Sequence, residues 1–167
     1  QGLSVDQVAE YLEANEIRAY FFELGGEIMA GYPKPGGEKW RFGIDKPVSD
    51  LAARELEAVI NLRNKGLATS GNYRKFYEKD GIRYAHTIDP HTGYPVQHSL
   101  VSATVVAGKA AEADAYATAF MVMGQDSTVQ FLKEKEYLGN YVYLITTSGK
   151  NFETFVSDEI SSLIQEN

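Results

Sequence analysis

Three histidines and no cysteine leave this 167-residue chain few side chains able to do chemistry. Thiolate metal sites, disulfides and cysteine nucleophiles are excluded at once. Two of the histidines fall in His86-Thr-Ile-Asp-Pro-His-Thr-Gly-Tyr-Pro95. Pro90 steers Asp89 away from helical backbone, and Gly93 is free to take a positive φ. The stretch therefore reads as a shaped loop whose Asp89 carboxylate and Thr92 hydroxyl can bond backbone amides. A second candidate group is Asp114 with Thr118, four positions apart in an alanine-rich segment and so on one face of a helix. A carboxylate and a hydroxyl presented together beside a glycine-bearing loop suit a hard, oxygen-seeking cation such as Mg²⁺. The plainer alternatives are an Asx turn at Asp89 and a helix cap or core hydrogen bond at Asp114. Two further stretches are open in the same way. Gly25-Gly26 is either a tight hairpin turn or a diglycine that brings backbone close to a ligand. Leu67-Ala-Thr69-Ser70-Gly71-Asn-Tyr73 alternates poorly and reads as a loop with side-chain turns.

These groups need elements to hold them. Leu100-Val-Ser-Ala-Thr-Val-Val-Ala107 is rich in β-branched and apolar residues, as a largely buried strand would be. Gly108 punctuates, and Ala110–Met123 reads as a helix packed closely through its alanines. Gly124 then stands as its C′ residue, with Asp126-Ser127 capping a second helix through Phe131–Glu134. Upstream, residues 5–14 carry apolar positions at helical spacing, with Ser4 as N-cap and Asp6 in the first turn, where the helix dipole favours acids. Ile17–Leu24 reads as a buried strand, Glu27–Gly31 as its return, and Trp40–Ile44 and Glu57–Leu62 as further strands. Tyr73–Tyr77 and Ile82–Thr87 form the arms of a hairpin turned at Asp80-Gly81, which delivers His86 to the loop. Tyr141–Thr146 and Phe152–Val156 form a last hairpin, and Ser157 caps a closing helix to Ile164. No repeat or interdomain linker interrupts the chain, so one domain over residues 1–167 is expected. Its class is α+β, a mainly antiparallel sheet with packed helices.

Composition narrows the functions. Hydrophobic content of 44% and charged content of 23% are those of an ordinary globular domain. A formal net charge of −7 without a basic cluster speaks against nucleic acid as a partner. It also means that a polyanionic nucleotide must be drawn in by backbone amides or a bound cation. No apolar run is long enough for a membrane span. The first residue is Gln1 rather than Met, so a processed or shortened product is expected, with any targeting segment upstream.

Taken together, Ala68-Thr-Ser-Gly-Asn-Tyr73, the His86–Pro95 loop and Ala113-Asp-Ala-Tyr-Ala-Thr-Ala119 resemble the ApbE family of flavin transferases. Gly2-Leu-Ser-Val-Asp6 and Glu23-Leu-Gly-Gly-Glu27 resemble the middle of that domain, except that Gln1 stands where the family has lysine. The resemblance covers the C-terminal half or somewhat more of the family domain, whose fold is related to the T-fold, so the N-terminal part is expected to be missing here. It implies transfer of FMN from FAD to a threonine of a partner redox protein, with Mg²⁺ held by Asp114 and Thr118. It implies His86 as catalytic base, with Asp89 as alternative base or orienting group. Gly25, Gly26, Thr69, Ser70, Gly71, His86, Ile88, Thr92 and Gly93 would contact the flavin nucleotide, while His91 and His98 read as surface residues. The implied acceptor is a subunit of a membrane redox complex. The implied location is the periplasmic side of a bacterial cell envelope, as a membrane-anchored lipoprotein. Other outcomes of the same residues are a flavin-storing module without transfer activity and an FAD pyrophosphatase with water as acceptor.

Overall fold

Alternation along the central strands decides the architecture. The computed structural model describes residues 1–47, 55–72, 76–79, 82–134, 141–149 and 151–165. Its elements run α1 (Gly2–Ala14), β1 (Phe21–Leu24), β2 (Glu27–Ala30), β3 (Trp40–Asp45), β4 (Leu56–Leu62), β5 (Lys65–Gly71), β6 (Phe76–Lys79) and β7 (Ile82–Ala85). Then come β8 (Leu100–Ala107), α2 (Ala110–Glu134), β9 (Val142–Ser148), β10 (Asn151–Val156) and α3 (Asp158–Ser161). Six strands make one antiparallel sheet in the order β1-β2-β5-β8-β9-β10. The pairs β3–β4 and β6–β7 stand apart as hairpins. Leu67, Val106, Tyr143 and Ile145 point to one face, where they pack with Ile44, Ile60, Leu62 and Ile160. Ala68, Val105 and Leu144 lie one position out of step and meet Ala113, Ala117, Phe120 and Met121 of α2 on the other face. A sheet covered on both sides buries successive positions, and β8 is buried at six of its eight residues, with Ser102 and Thr104 the polar ones. The expected α+β class with a mainly antiparallel sheet is the class observed. Among the described residues no helix is long and apolar enough to cross a membrane.

The helix that carries Asp114 is seated with little freedom. Ala110, Ala113 and Ala117 are fully buried, and their small side chains let α2 lie close on the sheet. Gly66 of β5 sits directly beneath Ala110, where any Cβ would collide with helix backbone. Phe120 and Met121 are each 1% exposed and stabilise the seat by about 1.5–3 kcal/mol apiece. At Gly124 the backbone leaves the helix (φ 77, ψ 172) and a second helical segment follows. The Thr128 hydroxyl donates to the Gly124 carbonyl at 2.7 Å, binding the two segments together.

Several local expectations are corrected. The first helix starts at Gly2, so Ser4 lies inside it and caps nothing. Asp6 serves a different helix: its carboxylate accepts the Ala110 and Ala111 amides at 2.8 and 3.0 Å. It thereby caps α2, whose first N–H groups have no partner of their own. The segment expected as a buried strand over Ile17–Leu24 shrinks to β1, a largely exposed edge strand. Thr69-Ser70-Gly71 belongs to a strand between β2 and β8 rather than to a loop. Asp126 and Ser127 fall within the second segment of α2 instead of ahead of it. Ser157 occupies an N-cap position, but its hydroxyl accepts the Val142 amide at 2.9 Å and the helix runs only to Ser161. Part of the expected arm at Tyr73–Tyr77, and the Asp80-Gly81 turn, lie outside the described residues.

Candidate functional site

Four stretches far apart in sequence line one cavity of about 510 Å³, within the size range of small-ligand sites. The β1–β2 turn contributes Gly25, Gly26 and Glu27, and the end of β5 contributes Thr69, Ser70 and Gly71. His86 and Thr87 enter from the segment after β7, and Asp114 and Thr118 from the first turns of α2. Gln1 and, from β3, Phe42 and Gly43 complete much of the rim. Gly25 and Gly26 have φ of 69° and 110°, a turn that residues with a Cβ rarely make.

Asp114 and Thr118 reach the cavity one helical turn apart, as their spacing predicts. Asp114 Oδ2 accepts the Gly2 amide at 2.9 Å and lies 3.4 Å from the Gln1 amino group. The Thr118 hydroxyl is 3.2 Å from that of Ser70 on β5, and Thr69 is paired with Thr104 at 2.8 Å. Strand and helix hydroxyls are thus held in one place by hydrogen bonds between elements that the core has already docked.

The histidine side is tied differently. The Thr87 hydroxyl donates to Asn72 Oδ1 at 2.9 Å, fixing the residue after His86 to the end of β5. Beyond it the loop closes on itself. The Asp89 amide donates to the Tyr94 carbonyl, the Gly93 amide returns to the Asp89 carbonyl, and Ile88 bridges to Pro95. Asp89 Oδ1 accepts the His91 amide at 2.9 Å, and Oδ2 accepts the Thr92 hydroxyl at 3.2 Å. These bonds, the His91 amide foremost, hold the Asp89 carboxyl below its ordinary range. Asp89 is therefore an Asx-turn residue, and Ile88, Asp89, Thr92 and Gly93 do not line the cavity. Gly93, at φ 74°, is the residue that lets this turn close. His91 is 90% exposed. His98 is exposed at its rim but donates from Nε2 to the Met121 carbonyl at 2.9 Å, packing beside Gly124.

One residue escaped the sequence reading. Glu27, the acid after the diglycine, is only 8% exposed. Among the described residues its Oε2 has no hydrogen-bond partner. Burial first, and the negative charge of Asp114 next among the effects in that direction, push its carboxyl above the ordinary range. The signal was the Gly-Gly-acid sequence, but nothing local in sequence says that this acid turns inward. With Glu23, Asp45 and Asp114 also on the wall, the cavity is acidic. A phosphate-bearing ligand would meet repulsion there unless a cation came with it. The donors are carboxylate and hydroxyl oxygens, the set a hard cation prefers. Among the described residues no three His, Asp or Glu side chains form a metal cage by themselves.

An antiparallel α+β frame thus surrounds one cleft with a glycine turn, strand hydroxyls and a helix carboxylate. Residues 1–142 match the ApbE family, and the chain belongs to that family. It is 42% identical over 165 residues to the FAD:protein FMN transferase of Haemophilus influenzae, covering 99% of this chain and 46% of the relative. To the protein of the same name in Escherichia coli K12 it is 37% identical, covering 98% of this chain and 45% of the relative. Among solved structures, the flavin transferase ApbE from Vibrio cholerae superposes with a TM-score of 0.82 at 34% identity, covering 97% of this chain and 50% of that one. The apbe protein from Thermotoga maritima gives 0.83 at 28% identity, with 99% and 51% covered. The chain thus spans about half the length of the relatives it matches.

Proposed function

We propose that this chain is the part of a flavin transferase that holds the cation and the catalytic histidine, and that the whole protein moves FMN from FAD onto a threonine of a partner protein. The observation that carries the reading is the convergence of Gly25–Gly26, Thr69–Gly71, His86, Asp114 and Thr118 on one cavity. In the reaction, the threonine oxygen attacks the phosphorus on the riboflavin side of the FAD pyrophosphate. The bond to the AMP phosphate breaks, AMP leaves, and a phosphodiester links threonine to riboflavin. His86, delivered to the rim by the segment after β7, takes the threonine proton. Asp114 and Thr118 would hold Mg²⁺, which when bound would neutralise negative charge on the phosphoryl oxygens. The hydroxyls of Ser70 and Thr69 and the backbone of Gly25–Gly26 wall the nucleotide. Asp89 shapes the loop and leaves the proton to His86, since its own oxygens are occupied. The acceptor in this reading is a subunit of a membrane redox complex, and the protein acts at the periplasmic face of a cell envelope.

The test is flavin transfer by the full-length parent, incubated with FAD, Mg²⁺ and the acceptor. A fluorescent acceptor band on a denaturing gel is expected, lost with EDTA and in Asp114→Ala, and reduced in His86→Ala by about 10²–10⁴-fold. Release of FMN and AMP without a labelled acceptor would replace transfer by hydrolysis. Recovery of intact FAD would replace it by storage.

A further inference from the structure

A buried carboxylate oxygen with no partner is costly, by far more than a neutral group in the same position. Glu27 Oε2 is such an atom, and Glu27 lines the same cavity as a second carboxylate, Asp114. A shared proton does not resolve the pair, because Oε2 has no acceptor or donor at hydrogen-bond distance among the described residues. The residue is 8% exposed and starts β2 directly after a turn fixed by two glycines at positive φ. β2 pairs with β5, the strand whose Ser70 meets Thr118. Glu27 is therefore set on the same rigid frame as the two proposed cation ligands.

We propose that Glu27 is a second carboxylate ligand of the cation, through Oε2, beside Asp114 and Thr118. The inference rests on the cation site proposed above and deepens it. It accounts for two features together: an inward-facing acid and its unmatched oxygen. Two carboxylates and a hydroxyl leave room in an octahedral shell for water or phosphate oxygens.

Mn²⁺ titrated into this chain without FAD, followed by its electron paramagnetic resonance signal, tests the proposal. Glu27→Gln keeps the size of the side chain and should weaken Mn²⁺ at least about tenfold. Without metal, its melting temperature should be no lower than that of the unaltered chain. Glu27→Asp, which keeps the charge on a shorter stem, should fall between them and serves if the glutamine variant folds poorly. Unaltered Mn²⁺ binding by Glu27→Gln, with binding lost in Asp114→Ala, would overturn the role of Glu27 and leave the cation site standing. Unaltered binding in both variants, or none by the original chain at millimolar Mn²⁺, would overturn the cation site as well.

Discussion

Replacing Asp6 by alanine tests whether one helix really holds the end of another. In the native chain the Asp6 carboxylate takes two amide hydrogen bonds, at 2.8 and 3.0 Å, and the Ala110 bond is buried. Losing an N-cap of this kind costs about 1 kcal/mol, and up to about 2 kcal/mol in a folded protein. A buried amide left without a partner adds about 1–3 kcal/mol. The favourable meeting of carboxylate and helix dipole removes a further fraction of about 1 kcal/mol. Because these overlap, the expected loss is about 2–3 kcal/mol, or roughly 4–12 °C in Tm for a domain of this size. Asp6→Asn keeps one acceptor oxygen but turns an NH₂ group toward the other amide, so about half the loss is expected. Urea denaturation of the three proteins, read by circular dichroism, measures the difference. A loss under about 0.5 kcal/mol for the alanine variant would refute the reasoning, since it would mean that α2 finds its own cap. The same variant should loosen Asp114, one turn further on, and weaken Mn²⁺ even though residue 6 is remote from the proposed ligand set.

Two other outcomes follow from the site's surroundings. The Asp89 carboxyl is held below its ordinary range by the His91 amide and the Thr92 hydroxyl. The order it gives the loop is therefore complete above the ordinary carboxylate range and lost as pH falls through the depressed value. The Asp89 side-chain carboxyl carbon resonance should titrate in that acid region, and a midpoint at or above the ordinary value would sink the assignment. Gly124→Ala forces a Cβ into a backbone conformation that is nearly glycine-only, and places it 3.1 Å from His98 Cδ2. A loss of about 1–3 kcal/mol is expected, with an unchanged melting curve as the refuting result.

How much of this was legible beforehand depends on whether each signal was local. The strand Leu100–Ala107 and the helix from Ala110 were readable because a face buried on both sides, or an alanine-lined one, writes itself into consecutive residues. The pairing of Asp114 with Thr118 followed from helical spacing alone. Thr69-Ser70-Gly71 was misread because a strand end that walls a polar cavity loses the apolar alternation by which strands are recognised. Ile17–Leu24 looked buried because aromatic residues also populate an edge, where Phe21 meets Trp40 and Phe42 on the adjoining hairpin. The capping of α2 by Asp6 and the burial of Glu27 were invisible, since both arise from contacts that no short window contains.

The sheet order carries a consequence for how this chain reaches its native state. β2 pairs with β5, and β5 with β8, yet a hairpin lies between the members of each couple: β3–β4 in the first, β6–β7 in the second. Joining distant strands across a slack connection grows costlier with its length, by about 0.6 kcal/mol per doubling. A hairpin needs only neighbouring residues and forms in microseconds. Once folded back, it brings its two ends together and shortens the span that remains to be closed. The two excursions that interrupt the sheet in sequence thus keep their own ends together, so the strands they separate close over a shorter effective loop.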